Sequence, residues 1–208
     1  NVTGHFAFLV DEVFKLNFVE AVIFFLYILA FFLGSFFSNL IVEIISRKND
    51  RYIYIAPAIV EMLILTTIPF LGENIIQQHP DIIACSLLFA MGLQNSLVTS
   101  ISSSVVRTTH LTGLFTDLGI ELSQLFFYKT PEQKKQLLSS IRLRFRIISF
   151  FFIGGVFAGV FYSKIKMYVL LIAAGTLLLG LIYDNIKYRL ITLTRKLSKE
   201  LAEINPDN

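Results

Sequence analysis

The chain has 208 residues, of which 55% are hydrophobic and only 16% charged, and its mean hydropathy is +0.69. A soluble domain carries about 25% charged residues, so this composition argues against a soluble enzyme and against disorder. The net charge of +3 comes with clustered basic residues, which speaks against a nucleic-acid surface, and the single Cys85 excludes an internal disulfide framework and a multi-cysteine metal site.

Taken in chain order, Asn1-Val2-Thr3-Gly4-His5 opens without an initiator methionine or a signal-peptide pattern. His5–Phe14 reads as the tail of a membrane helix whose earlier part is expected to precede Asn1. Ala21–Val42 is uncharged between Glu20 and Glu43, long enough for the roughly 20 residues a crossing needs. Ile53–Gly72 carries one charge, Glu61, and two prolines, Pro57 and Pro69, that could kink it. The stretch from Gly72 to Asp81 is an acidic loop in which His79 reads as solvated. Ile82–Val106 is uncharged but strongly apolar only to Leu93; Gln94, Asn95 and a run of Ser and Thr follow, then Arg107 to Gly113, then an amphipathic segment, Leu114–Tyr128. This pattern predicts an apolar helix, a polar break and a second embedded helix, because irregular backbone at membrane depth survives only inside protein or beside water. A basic loop, Lys129–Arg146, leads to the uncharged spans Ile147–Ser163 and Met167–Tyr183. From Lys187 onward the tail reads either as an amphipathic helix on the inner surface or as a plain solvated helix end.

The chain resembles itself. Val2-Thr3-Gly4-His5-Phe6 matches Leu111-Thr112-Gly113-Leu114-Phe115, and Glu12 falls on Glu121 at the same offset. Phe32-Leu33-Gly34 through Ser38 matches Phe157-Ala158-Gly159 through Ser163, the offset having grown by 16 residues, which sit in the basic loop. The expected architecture is all-α: a polytopic transmembrane bundle with an internal two-fold repeat and broken or half-length helices. Residues 1–72 form the first repeat, lacking its first helix; 73–81 an external loop; 82–186 the second repeat; and 187–208 a cytoplasmic tail. If the Ile82 and Leu114 segments make one broken crossing, 14 basic residues lie inside, three outside and Arg107 in the membrane, and the repeats are inverted. If both cross fully, the balance is 12 to six and the repeats are parallel. The first arrangement fits the positive-inside rule better, and both put the C-terminus in the cytoplasm.

Ionisable groups at membrane depth are costly and mark sites or internal pairs. Glu61, near the middle of its span, is either a proton or cation site or a carboxyl bonded to a neighbouring helix. His110, Gly113, Asp117, Glu121 and Gln124 recur at helical spacing on one face. Such a stripe suits a hydrated cavity or an interfacial helix; the cavity is favoured because Thr112-Gly113 admits another backbone closely. Arg107 is a candidate partner for Asp117, Glu121 or Glu61, and Gln94-Asn95 offers uncharged donors and acceptors. The candidate binding set is Thr3, Gly4, His5, Glu61, Gln94, Asn95, Arg107, His110, Thr112, Gly113, Asp117 and Glu121. No catalytic residue, metal ligand or cofactor is expected, because no nucleophile elbow, Walker loop, zinc motif or dinucleotide-binding pattern is present.

Leu88 through Asn95, and Thr108-Thr109-His110-Leu111-Thr112-Gly113 through Gly119, resemble the signature of the YoaK family, bacterial multispanning proteins classed as a domain of unknown function. Asn1 through His5 is similar to that family's first-half Thr-Gly-Asn motif, with His5 where Asn is usual. The resemblance implies a missing N-terminal span and residence in the bacterial cytoplasmic (inner) membrane; it implies no substrate. Read together, these features favour a secondary transporter or permease for a small solute, with intramembrane carboxylates for proton or cation coupling. The rival is a non-transporting scaffold or subunit of a larger membrane complex. The expected partners are the lipid bilayer, a small molecule or ion, and either a second copy or another membrane protein, but no nucleic acid.

Overall fold

The computed structural model describes residues 2–47, 53–101 and 111–204, and among these every regular element is helical. The order is α1 (Val2–Phe14), α2 (Phe18–Ser46), α3 (Ile55–Thr67) with a 3-10 tail (Ile68–Phe70), α4 (Glu73–Gln78), α5 (Pro80–Ile101), α6 (Leu111–Gln124), α7 (Pro131–Ile165) and, after a 3-10 turn at Lys166–Tyr168, α8 (Val169–Ile204). Three helical stretches are long and apolar enough to cross a membrane: Phe18–Ser46, Pro80–Ser100 and Pro131–Lys187. They leave large apolar side chains such as Phe32, Phe150, Phe152 and Leu179 exposed. Such surface suggests contact with a lipid bilayer.

Several expected boundaries move. The Glu61 helix runs only from Ile55 to Phe70, shorter than the predicted span and outside those three stretches. Pro69, lacking an N–H, falls in the 3-10 tail, and Gly72 then takes a positive φ of 81°. Pro57 sits in the first turn of α3, where the missing donor costs nothing, so neither proline kinks the middle of the helix. Within the acidic loop, Glu73–Gln78 forms one short helix. The largest change is at the basic loop: most of Lys129–Arg146 is the first half of α7, which starts from Pro131 behind an extended Thr130. The charges that interrupt the hydropathy there do not interrupt the helix, because Lys, Arg, Glu and Gln are all good helix formers.

The tightest packing is between α2 and α5, which run parallel. Ser35 Oγ donates to the Gly92 carbonyl at 3.1 Å and Ser38 Oγ to the Leu93 carbonyl at 3.1 Å. A Cβ at Gly34 would run into the Phe89 carbonyl, and one at Gly92 into the Phe31 carbonyl. Small residues bring the two backbones into contact, as dispersion-driven packing in lipid requires. Tyr27 donates to Asp81 at the first turn of α5. Alongside, α3 packs on α5 and α8, burying Ala58, Glu61, Leu65 and Ile68. The Phe70 ring meets Tyr168 edge-on, and Lys166 pairs with Glu73, so the end of α3 and the α7–α8 turn lie together. The carboxylate of Glu73 holds the Lys166 ammonium above its usual pKa.

The half-length α1 folds back on α2 through a turn at Leu16, whose φ is 59°. Asn17 N–H donates to the Glu12 carbonyl at 2.9 Å and Leu16 N–H to Val13 at 3.1 Å, closing the helix end around a left-handed residue. Outside this turn Lys15 donates to Asp11 at 2.6 Å and to Glu12 at 2.9 Å, and these carboxylates raise its pKa.

Candidate functional site: a polar cavity between five helices

Where α1, α2, α5, α6 and α7 approach one another they leave a cavity of about 760 Å³. Its apolar wall comes from Val2, Phe31, Met91, Leu111 and Phe151. Its polar wall is made of hydroxyls and amides: Thr3 from α1, Ser35 and Asn39 from α2, Asn95, Ser96, Thr99 and Ser100 from α5, and Thr112 from α6. The polar run after Leu93 is thus helical at least to Ile101, and α5 turns that run toward the cavity. Thr99 Oγ1 donates back to the Asn95 carbonyl at 2.7 Å, and the Ser35 proton is held by Gly92. The bond to Gly92 satisfies the Ser35 hydroxyl proton and leaves that oxygen able to accept.

Of the residues singled out in the sequence, the cavity unites Thr3, Asn95 and Thr112. Gly4 follows Thr3 in α1, but a Cβ there would meet nothing, so it does not mark a close backbone approach. Gly113 lies beside Thr112 in α6 and is not part of the lining. His5 turns instead to α2, stacking on Phe24 and meeting Tyr27 edge-on, with its Nδ1 buried and unbonded. Gln94 has a buried, unbonded Oε1 and does not line the cavity. Arg107 and His110 lie outside the described residues.

The acids go elsewhere. Glu61 is 6% exposed in the packing of α3, and its Oε2 is buried without a hydrogen-bond partner. Asp117 and Glu121 do not line the cavity. Arg144 of α7 donates from Nη1 to Asp117 at 2.8 Å and from Nε to Glu121 at 3.0 Å, and Ser140 adds a bond to Glu121 at 2.6 Å. The polar stripe of α6 is therefore a seam against α7, because two carboxylates one helical turn apart match the planar fork of a guanidinium. Sequence reasoning missed Arg144 and Ser140 because they fall in the stretch read as a loop. As a helix, Leu137, Ser140 and Arg144 share one face, and Leu137 is buried on it. It also passed over Ser35 and Asn39 as site residues; one turn apart, and with Ser38 beside them, they mark a polar face in a mostly apolar span.

Among the described residues no group of three or more metal-binding side chains comes together. Neither the curated proteins nor the solved structures yield a match to this chain. A family model does match, over residues 1–183. That is consistent with the second-half signature described above, although the YoaK name itself rests on resemblance alone. With most of its length covered by this model, the chain belongs to the family described as Protein of unknown function (DUF1275).

Proposed function

We propose that the protein is an integral membrane permease, a secondary transporter that binds a small solute in the cavity where two repeated halves meet. One observation carries this reading: Thr3 and Thr112, which occupy equivalent places in the two Thr-Gly segments, line the same cavity together with Asn95. Sites at repeat interfaces, flanked by half-length helices, are the usual arrangement in secondary transporters. The course of the helices supports an inverted repeat. From the cavity α1 leads toward the Leu16 turn, whereas α6 leads the opposite way, alongside the first half of α7. The following helices alternate in the same opposed sense, so α1–α2–α3 and α6–α7–α8 read as two units of reversed direction.

The same course supports an orientation with the C-terminus in the cytoplasm of a bacterium and the chain in its inner membrane. Arg47 after α2, the basic first half of α7 and the C-terminal end of α8 fall toward one end of the bundle. Lys15, Lys164 and Lys166 fall toward the other. Glu61 would carry protons for coupling, a reading supported by its burial and by the Oε2 atom that no hydrogen bond engages. Asp117 and Glu121, with Arg144, would tie the second half-helix to α7. No catalytic step is assigned.

Proteoliposomes with a trapped pH dye, challenged with a panel of small solutes, test this. Solute-dependent proton entry is expected, abolished in Glu61→Gln and reduced in Asp117→Asn; unchanged flux in both variants removes those roles. The scaffold reading is favoured by one feature, the open Gly154, Gly155 and Gly159 face of α7, where an added Cβ would meet nothing. Purification in mild detergent with a stoichiometric partner protein, and no solute-dependent flux, would move the conclusion there.

A further inference from the structure

Resting on the permease reading, we infer that the cavity takes an uncharged solute rich in hydroxyl or amide groups, and that Asn39 and Thr112 select it. The described lining contains no Asp, Glu, Lys, Arg or His. A charged solute taken from water into such a wall would lose its hydration without gaining a counter-charge, and in low dielectric an unpaired charge is prohibitive. Among the described residues, the acids singled out in the sequence stand apart from the cavity. Glu61 is enclosed in the packing of α3, and Asp117 and Glu121 are both paired with Arg144. A hydrophobic solute is disfavoured for the opposite reason: it would strip water from the amides and hydroxyls and return no hydrogen bonds.

What the wall offers is hydroxyl and amide groups beside apolar side chains. Ser35, its proton committed to Gly92, presents an oxygen that accepts. Asn39 adds an amide that both donates and accepts, and Thr112 a hydroxyl from the opposite half. Phe31 and Phe151 supply flat apolar surface. A small polyol or amide, with hydrogen-bonding edges and a carbon skeleton, matches this surface.

The test measures uptake of radiolabelled erythritol and urea against radiolabelled glutamate and arginine in proteoliposomes. Erythritol or urea is expected to enter about a hundredfold faster than either charged solute, the ratio implied by burying a charge in a protein core within the membrane. Asn39→Leu and Thr112→Val should each lower the favoured uptake about tenfold, the loss of one hydrogen bond to the solute. Size-exclusion profiles identify variants that merely misfold; Ser123→Ala, on α6 outside the cavity, serves as the control. Glutamate or arginine entering faster than both neutral probes overturns this inference and leaves the permease standing. Uptake of a neutral probe that is indifferent to both cavity substitutions overturns it too, because the route then lies elsewhere. No uptake of any of the four, with correctly inserted protein, overturns the permease reading as well.

Discussion

At the scale of single residues, the sharpest question is what Glu61 costs. A buried carboxyl oxygen with no donor destabilises the fold, and replacing it by an apolar side chain of similar volume relieves that cost. Glu61→Met is therefore expected to unfold in detergent at the same temperature as the parent or higher, while abolishing proton coupling. A loss of about 2 kcal/mol or more, the cost of breaking a buried hydrogen bond, would show that the carboxyl holds a neighbouring helix. Leu16 poses a second question. It sits at φ 59° in a turn and is 72% exposed. Leu16→Gly should stabilise by about 1 kcal/mol, because the left-handed conformation strains any residue with a Cβ; thermal unfolding reads this directly. The acids themselves were legible in the sequence, since a charge in an apolar run stands out. Their partners were not. Arg107 looked closest to Asp117 along the chain, yet the guanidinium that meets Asp117 and Glu121 comes from Arg144, 27 and 23 residues away. Pairing of this kind is set by the antiparallel course of two helices, which no local pattern encodes.

Among elements, the contrast between α2 and α7 explains what small residues do here. Gly34 and Gly159 align when the sequence is compared with itself, but their surroundings differ. Backbone of α5 abuts Gly34, whereas nothing lies near Gly159. Gly34→Ala should cost about 3 kcal/mol or more, since the obstructing atom is a backbone carbonyl that cannot rotate away. Gly159→Ala should be neutral or stabilise by up to about 1 kcal/mol through helix propensity. Unfolding of both variants in the same detergent checks this; equal losses would mean that α7 is as tightly packed as α2. The α6–α7 seam is a second element-level prediction. In a double-mutant cycle, Arg144 and Glu121 should couple by about 1–2 kcal/mol and more strongly than Arg144 and Asp117. The Glu121 side chain is 13% exposed and the Asp117 side chain 49%, so solvent screens the second pair. The long apolar helices could be read from hydropathy because lipid selects for unbroken apolar runs. Helix α7 could be read only in its second half. Hydropathy does not distinguish a charged loop from a charged helix, and the start at Pro131 carries the one local signal, proline in the first turn.

For the molecule as a whole, direction matters more than boundaries. The α2–α5 pair is parallel, α3 returns between them in the chain, and the α7–α8 turn sits against the end of α3 through the Phe70–Tyr168 and Lys166–Glu73 contacts. These relations fix one end of the bundle as the site of α4 and the α7–α8 turn. The other end carries Arg47 and the basic first half of α7. Such asymmetry is what the translocation machinery reads when it orients a membrane protein. The proposed orientation puts the first half of α7 in the cytoplasm and the Glu73 end on the opposite face. The two ends can be told apart chemically. In a Cys85→Ser background, Asn74→Cys on α4 should react with a membrane-impermeant maleimide in right-side-out vesicles. Gln133→Cys on α7 should react only in inverted ones. Both parent positions are exposed, so access to the reagent depends on sidedness alone. The reverse pattern would invert the assignment. Labelling of both positions in the same vesicles would dismantle the two-ended bundle, and the inverted repeat would fall with it.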